Sequence, residues 1–156
     1  MAVFKYKLQN VLDIKFRMED QARAYFASAQ AKLNEEEAKK EALIARRVEY
    51  EEAGKRMRED VLNVLDMRDN NRAIENIKEQ IKTQQKAIDQ AAKVVEQARI
   101  KLTDAMQERK IHEKLKENSF EEFKREINAA ESKEVDELVS YTYGERIKKE
   151  KQAVPE

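Results

Sequence analysis

The sequence predicts an all-α chain folded as a long antiparallel two-helix coiled-coil hairpin. Three observations carry that expectation: a composition short of turn-forming residues, two ladders of apolar residues at coiled-coil spacing, and one short polar segment between them. Of 156 residues, 41% are charged and 6% aromatic, with two glycines, one proline, no cysteine and no tryptophan. Sheets and tight turns draw on glycine, proline and β-branched runs, whereas abundant Ala, Glu, Lys, Arg, Leu and Gln is the usage of long helices. No Pro/Gly/Ser-rich linker divides the chain, so residues 1–142 read as one hairpin unit.

The first helix is expected over about residues 3–66. Steps of seven visit Leu8, Lys15, Ala22, Ala29, Glu36, Leu43, Tyr50, Met57 and Val64, with Val11, Met18 and Tyr25 as intermediate steps. Such alternation of three and four residues is the mark of a coiled-coil seam. The bend is expected at about 67–71, where Asn70 or Asn71 tolerates a left-handed backbone and Asp69 or Asn70 can cap the following helix. The second helix then covers about 72–142. Its ladder, the stronger of the two, runs through Ile74, Ile77, Ile81, Gln84, Ile88, Ala91, Val95, Ala98, Leu102 and Ala105. Small residues on both ladders would let the helices approach closely. Beyond Ala105 the ladder passes through Ile111 and Leu115 before resuming with Phe120, Phe123, Ile127, Ala130, Leu138 and Tyr141. That predicts a phase break near 114–119, with Ser119 and Glu122 as a capping box restarting the helix. Residues 143–156 read as a frayed or disordered tail. A parallel dimer of an unbent helix would carry the same ladders; the polar segment between them favours the hairpin.

Charge excludes one class of partner. Lys plus Arg and Asp plus Glu both number 32, and up to Asn70 there are 14 of each sign. Nucleic-acid binding without sequence preference needs a surplus of cations against phosphate, so no nucleic-acid partner is expected. The longest apolar runs, such as Ala24 to Ala27 and Ala42 to Ala45, fall far short of the roughly 20 residues needed to span a bilayer. Charge breaks the opening too early for a signal-peptide core, so the chain is expected in the cytoplasm. Catalysis finds no support. His112 is the one histidine, and His112-Glu113 lacks the second histidine of a zinc-protease helix, leaving a seam-edge or solvent-facing residue. The acidic runs Glu35 to Glu37 and Glu51-Glu52 read as solvated faces. Both glycines lie outside phosphate-binding patterns. No enzyme, metal or cofactor is expected. Phe4, Tyr6, Leu8, Val11, Leu12 and Phe16, interleaved with lysines, describe either a membrane-lying helix or seam packing, and Leu8 and Val11 fall on the ladder.

The opening Phe4-Lys-Tyr6-Lys-Leu8-Gln9-Asn-Val11-Leu12-Asp13-Ile14-Lys15, followed by Glu19, Ala22, Phe26 and Ala29, resembles the amino-terminal signature of the flagellar export protein FliJ family. Similarity extends more loosely over most of the chain, including Glu131 to Leu138. The resemblance implies a stalk shaped like a rotary-ATPase γ subunit, seated in the pore of the export ATPase hexamer. It also implies contact with the membrane export gate and with export chaperones, at the cytoplasmic side of the cell membrane at the flagellar base. Carried over by position, the ATPase-ring group is Phe4, Tyr6, Leu8, Val11, Leu12, Phe123, Ile127 and Leu138. The gate group is Leu43, Tyr50, Ile77 and Gln84. Two other readings of the residues are a cytoplasmic coiled-coil chaperone whose hairpin tip holds export clients, and a structural spacer.

Overall fold

The computed structural model describes residues 2–61 and 63–153. Two helices account for nearly all of them: α1, Gln9–Glu59, and α2, Val64–Ala153. They pack against each other as a helical hairpin, and no strand occurs among the described residues. Phe16–Gln107 form one compact unit; residues up to Lys15, together with those from Glu108 on, form another.

Within the first unit the pairing is antiparallel. As the α1 partner moves back from Gly54 through Lys40 to Tyr25, its α2 partner advances from Asn70 through Gln85 to Lys101. Burial on α1 recurs at Glu19, Ala22, Phe26, Ala29, Leu33, Glu36 and Lys40 and continues to Met57, alternating steps of three and four. The steps of seven from Ala22 to Met57 thus lie on the seam as the sequence predicts. Of the intermediate steps Val11 is half-buried, but the other two lie off the seam. Met18 and Tyr25 are exposed, and the seam runs one residue later, through Glu19 and Phe26. Lys40, Arg47 and Gly54 hold further intermediate positions, so hydropathy hides half of this stripe. On α2 the seam runs through Met67, Asn70, Ile74, Ile77 and onward to Ala105, with Ala98 fully buried. Alanines at 29, 91 and 98 are among the most buried residues, which is how two helices reach close contact without large side chains between them.

Helix α1 ends at Glu59 and α2 begins at Val64, so residues 67–71 lie inside α2 and are not the bend. Asn63 Oδ1 accepts from the backbone N–H groups of Leu65 and Asp66 at 3.1 and 3.3 Å, and its carbonyl accepts the first helical bond from Met67. Asn63 is therefore the N-cap of α2, and Asp66 in the first turn suits the positive end of the helix dipole. The expected capping role of Asp69 or Asn70 fails for a packing reason: Asn70 is buried in the seam opposite Gly54. A Cβ at position 54 would lie 2.6 Å from the Asn70 amide nitrogen, so the glycine admits this buried side chain.

In the second unit, residues 2–6 precede any helix, whereas the sequence predicts helix from about residue 3. Burial there alternates: Phe4 and Tyr6 are half-buried, Val3, Lys5 and Lys7 exposed. That period of two belongs to an extended segment lying along a helix, and it ends where Leu8 and Gln9 enter α1. The expected phase break at 114–119 is absent. Helix α2 is continuous there, and half-burial falls at Arg109, His112, Lys116, Ser119 and Phe123, at steps of three and four. What changes is chemistry rather than phase. Long polar side chains cover the seam with their stems, while Ile111 and Leu115 sit one position off it and are exposed. Ser119 and Glu122 are mid-helix residues and cap nothing. The expected fraying from Tyr143 onward is not observed either: α2 runs to Ala153, and Tyr141 Oη donates to Glu145 one turn on at 2.9 Å. Residues 154–156 of the expected tail lie outside the described residues.

Candidate functional site

Three places gather the residues of interest. The first belongs to the second unit, where the amino-terminal segment meets α2. The Phe4 ring lies 5.2 Å from that of Phe120 in an edge-to-face arrangement and 5.3 Å from that of Phe123. Such aromatic pairs add about 0.5–1.5 kcal/mol beyond the area they bury. A groove beside them is lined by Tyr6, Leu8, Ser119, Glu122 and Glu126. Leu12 is 3% exposed, and Val11, Phe123 and Ile127 are half-buried. Of the eight residues assigned to this end, six thus serve to hold the two segments together. Leu8 and Leu138, at 48% and 65% exposure, are the two open to a partner. Lys15 pairs with Glu108 at 3.4 Å, and His112 takes a seam position with Nε2 3.9 Å from the same carboxylate.

The second place is mid-hairpin in the first unit. Leu43, Tyr50, Ile77 and Gln84 all lie on the seam, Ile77 being 4% exposed. Gln84 is occupied within the chain: its Nε2 donates to the Glu36 carbonyl at 2.8 Å and to the Glu36 carboxylate. Glu36 is buried in the seam, and hydrogen bonds from Lys32 first, then Gln84, hold its carboxyl down to about 2 from the ordinary 4.5. Lys40 Nζ donates to Gln85 beside it. Lys32 and Lys39 pair with Glu36 along α1 itself, and the Gln84 contact crosses the seam, so a shift by one turn would cost the buried acid its cross-helix hydrogen bonds. The apolar surface actually open on this stretch is Ile44 and Val48, one turn apart on α1.

The third place was not legible in the sequence. Val61, Val64 and Leu65 at the turn are exposed, Val61 to 89%. This end therefore carries exposed apolar side chains beside Asp60 and Asn63, where Asp69 to Asn71 would have made a wholly polar tip. One signal for it was present: Asn63 followed three residues later by Asp66 is a helix-start pattern.

Among the described residues no group of three or more acidic, histidine or cysteine side chains stands ready for a metal, and no helix is long and apolar enough to cross a membrane. No curated protein and no solved structure matches the chain. The family model described as "Flagellar FliJ protein" matches residues 4–148, from the Phe4 that packs on α2 to near the end of that helix. Two long helices, an aromatic contact of the opening segment on α2 and a match over nearly the whole sequence agree, and the chain belongs to the flagellar FliJ protein family, components of the flagellar export apparatus.

Proposed function

We propose that the chain is the non-catalytic stalk of the flagellar export ATPase. In this reading the end built from Phe4 to Leu12 and Phe123 to Leu138 sits in the pore of the ATPase hexamer, on the cytoplasmic side of the membrane at the flagellar base. The observation that carries the reading is the Phe4 contact with Phe120 and Phe123, which joins two chain segments into one end while leaving Leu8 exposed. A pair of helices is about 20 Å across, each with side chains measuring about 10–12 Å, which suits a ring's central hole better than a cleft in one subunit. Balanced, interspersed charge favours many weak contacts that salt screens, so the stalk can shift without breaking one dominant lock. Leu8 and Leu138 make the ring contact; Phe4, Tyr6, Val11, Leu12, Phe123 and Ile127 shape the end. Toward the export gate, Leu43, Tyr50, Ile77 and Gln84 keep the hairpin in register, and Ile44 and Val48 beside them present the surface. Export chaperones are the third class of partner.

The test is ATP hydrolysis by the purified export ATPase titrated with this protein. Wild type should raise hydrolysis by promoting ring assembly. Leu8→Ser should weaken the effect with helix content unchanged, and Phe4→Ser should weaken it while loosening the end. Unchanged hydrolysis and oligomer distribution on adding wild type would refute the stalk. The exposed Val61, Val64 and Leu65 favour a second reading, a chaperone that holds export clients at its tip. Replacing all three with serine should abolish client capture under that reading and leave ATPase stimulation intact under the first.

A further inference from the structure

One cavity in the first unit holds none of the residues assigned to the ring or the gate. It measures about 290 Å³, and Glu51, Gly54, Lys55 and Arg58 of α1 and Asn70 and Asn71 of α2 stand in its wall. Asn70 is 7% exposed, and its carboxamide hydrogen-bonds to no described residue. Its amide nitrogen takes the space that a side chain at position 54 would fill, 2.6 Å from where a Cβ would stand, and Gly54 lines the same cavity. A buried carboxamide is satisfied only by a polar partner, and the cavity is where one reaches it.

Charge says which partner. Glu51, Lys55 and Arg58 follow one another by steps of four and three, one stripe of α1 along the cavity. The Glu51 carboxylate accepts from Arg47 at 3.0 Å and is already neutralised. Lys55 and Arg58 pair with no described acid, although Glu52 and Glu59 lie three and four residues from Lys55. Arg56 shares the last turn of α1 with Arg58, so the helix end keeps a cation of its own when Arg58 is engaged. A water molecule would satisfy Asn70 and leave the two cations as they are. An oxyanion answers both, accepting from the ammonium, the guanidinium and the amide N–H groups at once.

We propose that this cavity binds an oxyanion of the phosphate class, held by Lys55 and Arg58 from α1 and by Asn70 and Asn71 from α2. Donors converging from two helices suit the several oxygens of a phosphate better than the two of a carboxylate. Bound there, the anion ties the helices together near the turn. Gly54 becomes a requirement of the site, because a side chain would displace the Asn70 amide. The site goes beyond the stalk reading, and its test needs no ATPase.

The full chain is titrated with inorganic phosphate at fixed pH and constant ionic strength, chloride making up the balance, while backbone amide shifts are followed by NMR. Saturable shifts at Gly54, Asn70 and Asn71 are expected, and chloride alone should produce none. Lys55→Gln/Arg58→Gln should bind roughly tenfold more weakly or worse. Arg46→Gln/Lys86→Gln removes equal charge elsewhere on the hairpin and should bind as wild type does. Gly54→Ala keeps both cations and should also weaken binding roughly tenfold, with helix content checked by circular dichroism. A small phosphate monoester is titrated in parallel; saturation by either ligand supports the site, and the tighter of the two identifies its source. No saturation by either, or equal binding by wild type and the Lys55/Arg58 double variant, reduces the effect to charge screening and overturns the proposal. Gly54→Ala that binds as wild type does overturns it too, since Asn70 then takes no part. Acetate that binds as tightly as phosphate defeats the phosphate assignment.

Discussion

Two stretches of α2, Ile74 to Ala105 and Asn128 to Tyr143, have much the same chemistry and opposite fates. Both are charged helix with apolar residues at steps of three and four. The first has Ile77, Ala91 and Ala98 buried under α1; in the second every side chain is exposed. The difference teaches that helix formation here is local, decided by residue type, whereas burial is decided by whether a second helix runs alongside. A ladder in the sequence announces a seam without saying whether the chain itself supplies the other half.

The largest effect expected from this contrast is that of one acid placed in each stretch. Ile77→Asp buries a carboxylate with no partner and should destabilise the hairpin by several kcal/mol, seen as a large fall in the melting temperature by circular dichroism. Leu138→Asp, at an exposed position, should leave melting nearly unchanged. Equal melting of the two would show that the seam is misplaced.

Size should discriminate next. Ala98 is fully buried, so Ala98→Leu should overpack the interface at a cost of about 1–3 kcal/mol. Ala129→Leu should be silent or slightly stabilising, since position 129 is exposed. A denaturant titration comparing the two midpoints checks it.

The buried acid gives a pH signature that the exposed stretch lacks. Glu36 has a folded value near 2 against an ordinary 4.5, so its contribution is present above about 4.5 and disappears as pH falls toward 2. Glu36→Gln should therefore melt below wild type at neutral pH and converge with it in acid. A gap that persists unchanged to pH 2 would show that the carboxylate charge is not what stabilises the seam.

The two glycines make the smallest and sharpest comparison. Nothing lies within 4 Å of a Cβ added at Gly144, so Gly144→Ala should raise the helicity of that stretch, by about 1 kcal/mol at most. At Gly54 the same helix-propensity gain is opposed by the Asn70 amide, which must move aside for the new methyl group. Gly54→Ala should accordingly stabilise less than Gly144→Ala, or destabilise, in paired thermal melts.

Composition and periodicity alone determined the all-α class, the α2 ladder from Ile74 to Ala105 and the steps of seven along α1, because each rests on residue type and spacing along one helix. The opening from Phe4 to Lys15 was enough to suggest the family. Tertiary structure alone decided the rest. The α1 seam passes through Glu19, Lys40, Arg47 and Gly54, residues that hydropathy discards but that a facing helix can cover by their stems or admit by their absence of bulk. Helix α2 starts at Val64 and not beyond residue 71 because Asn63 caps it while Asn70 is drawn into the seam against Gly54. Gln84 faces inward because Glu36 stands opposite it, and Leu8 and Leu138 stay open because no described side chain covers them. Which residues bind a partner and which only hold the chain together depends on what lies across the interface, and a one-dimensional pattern does not contain that.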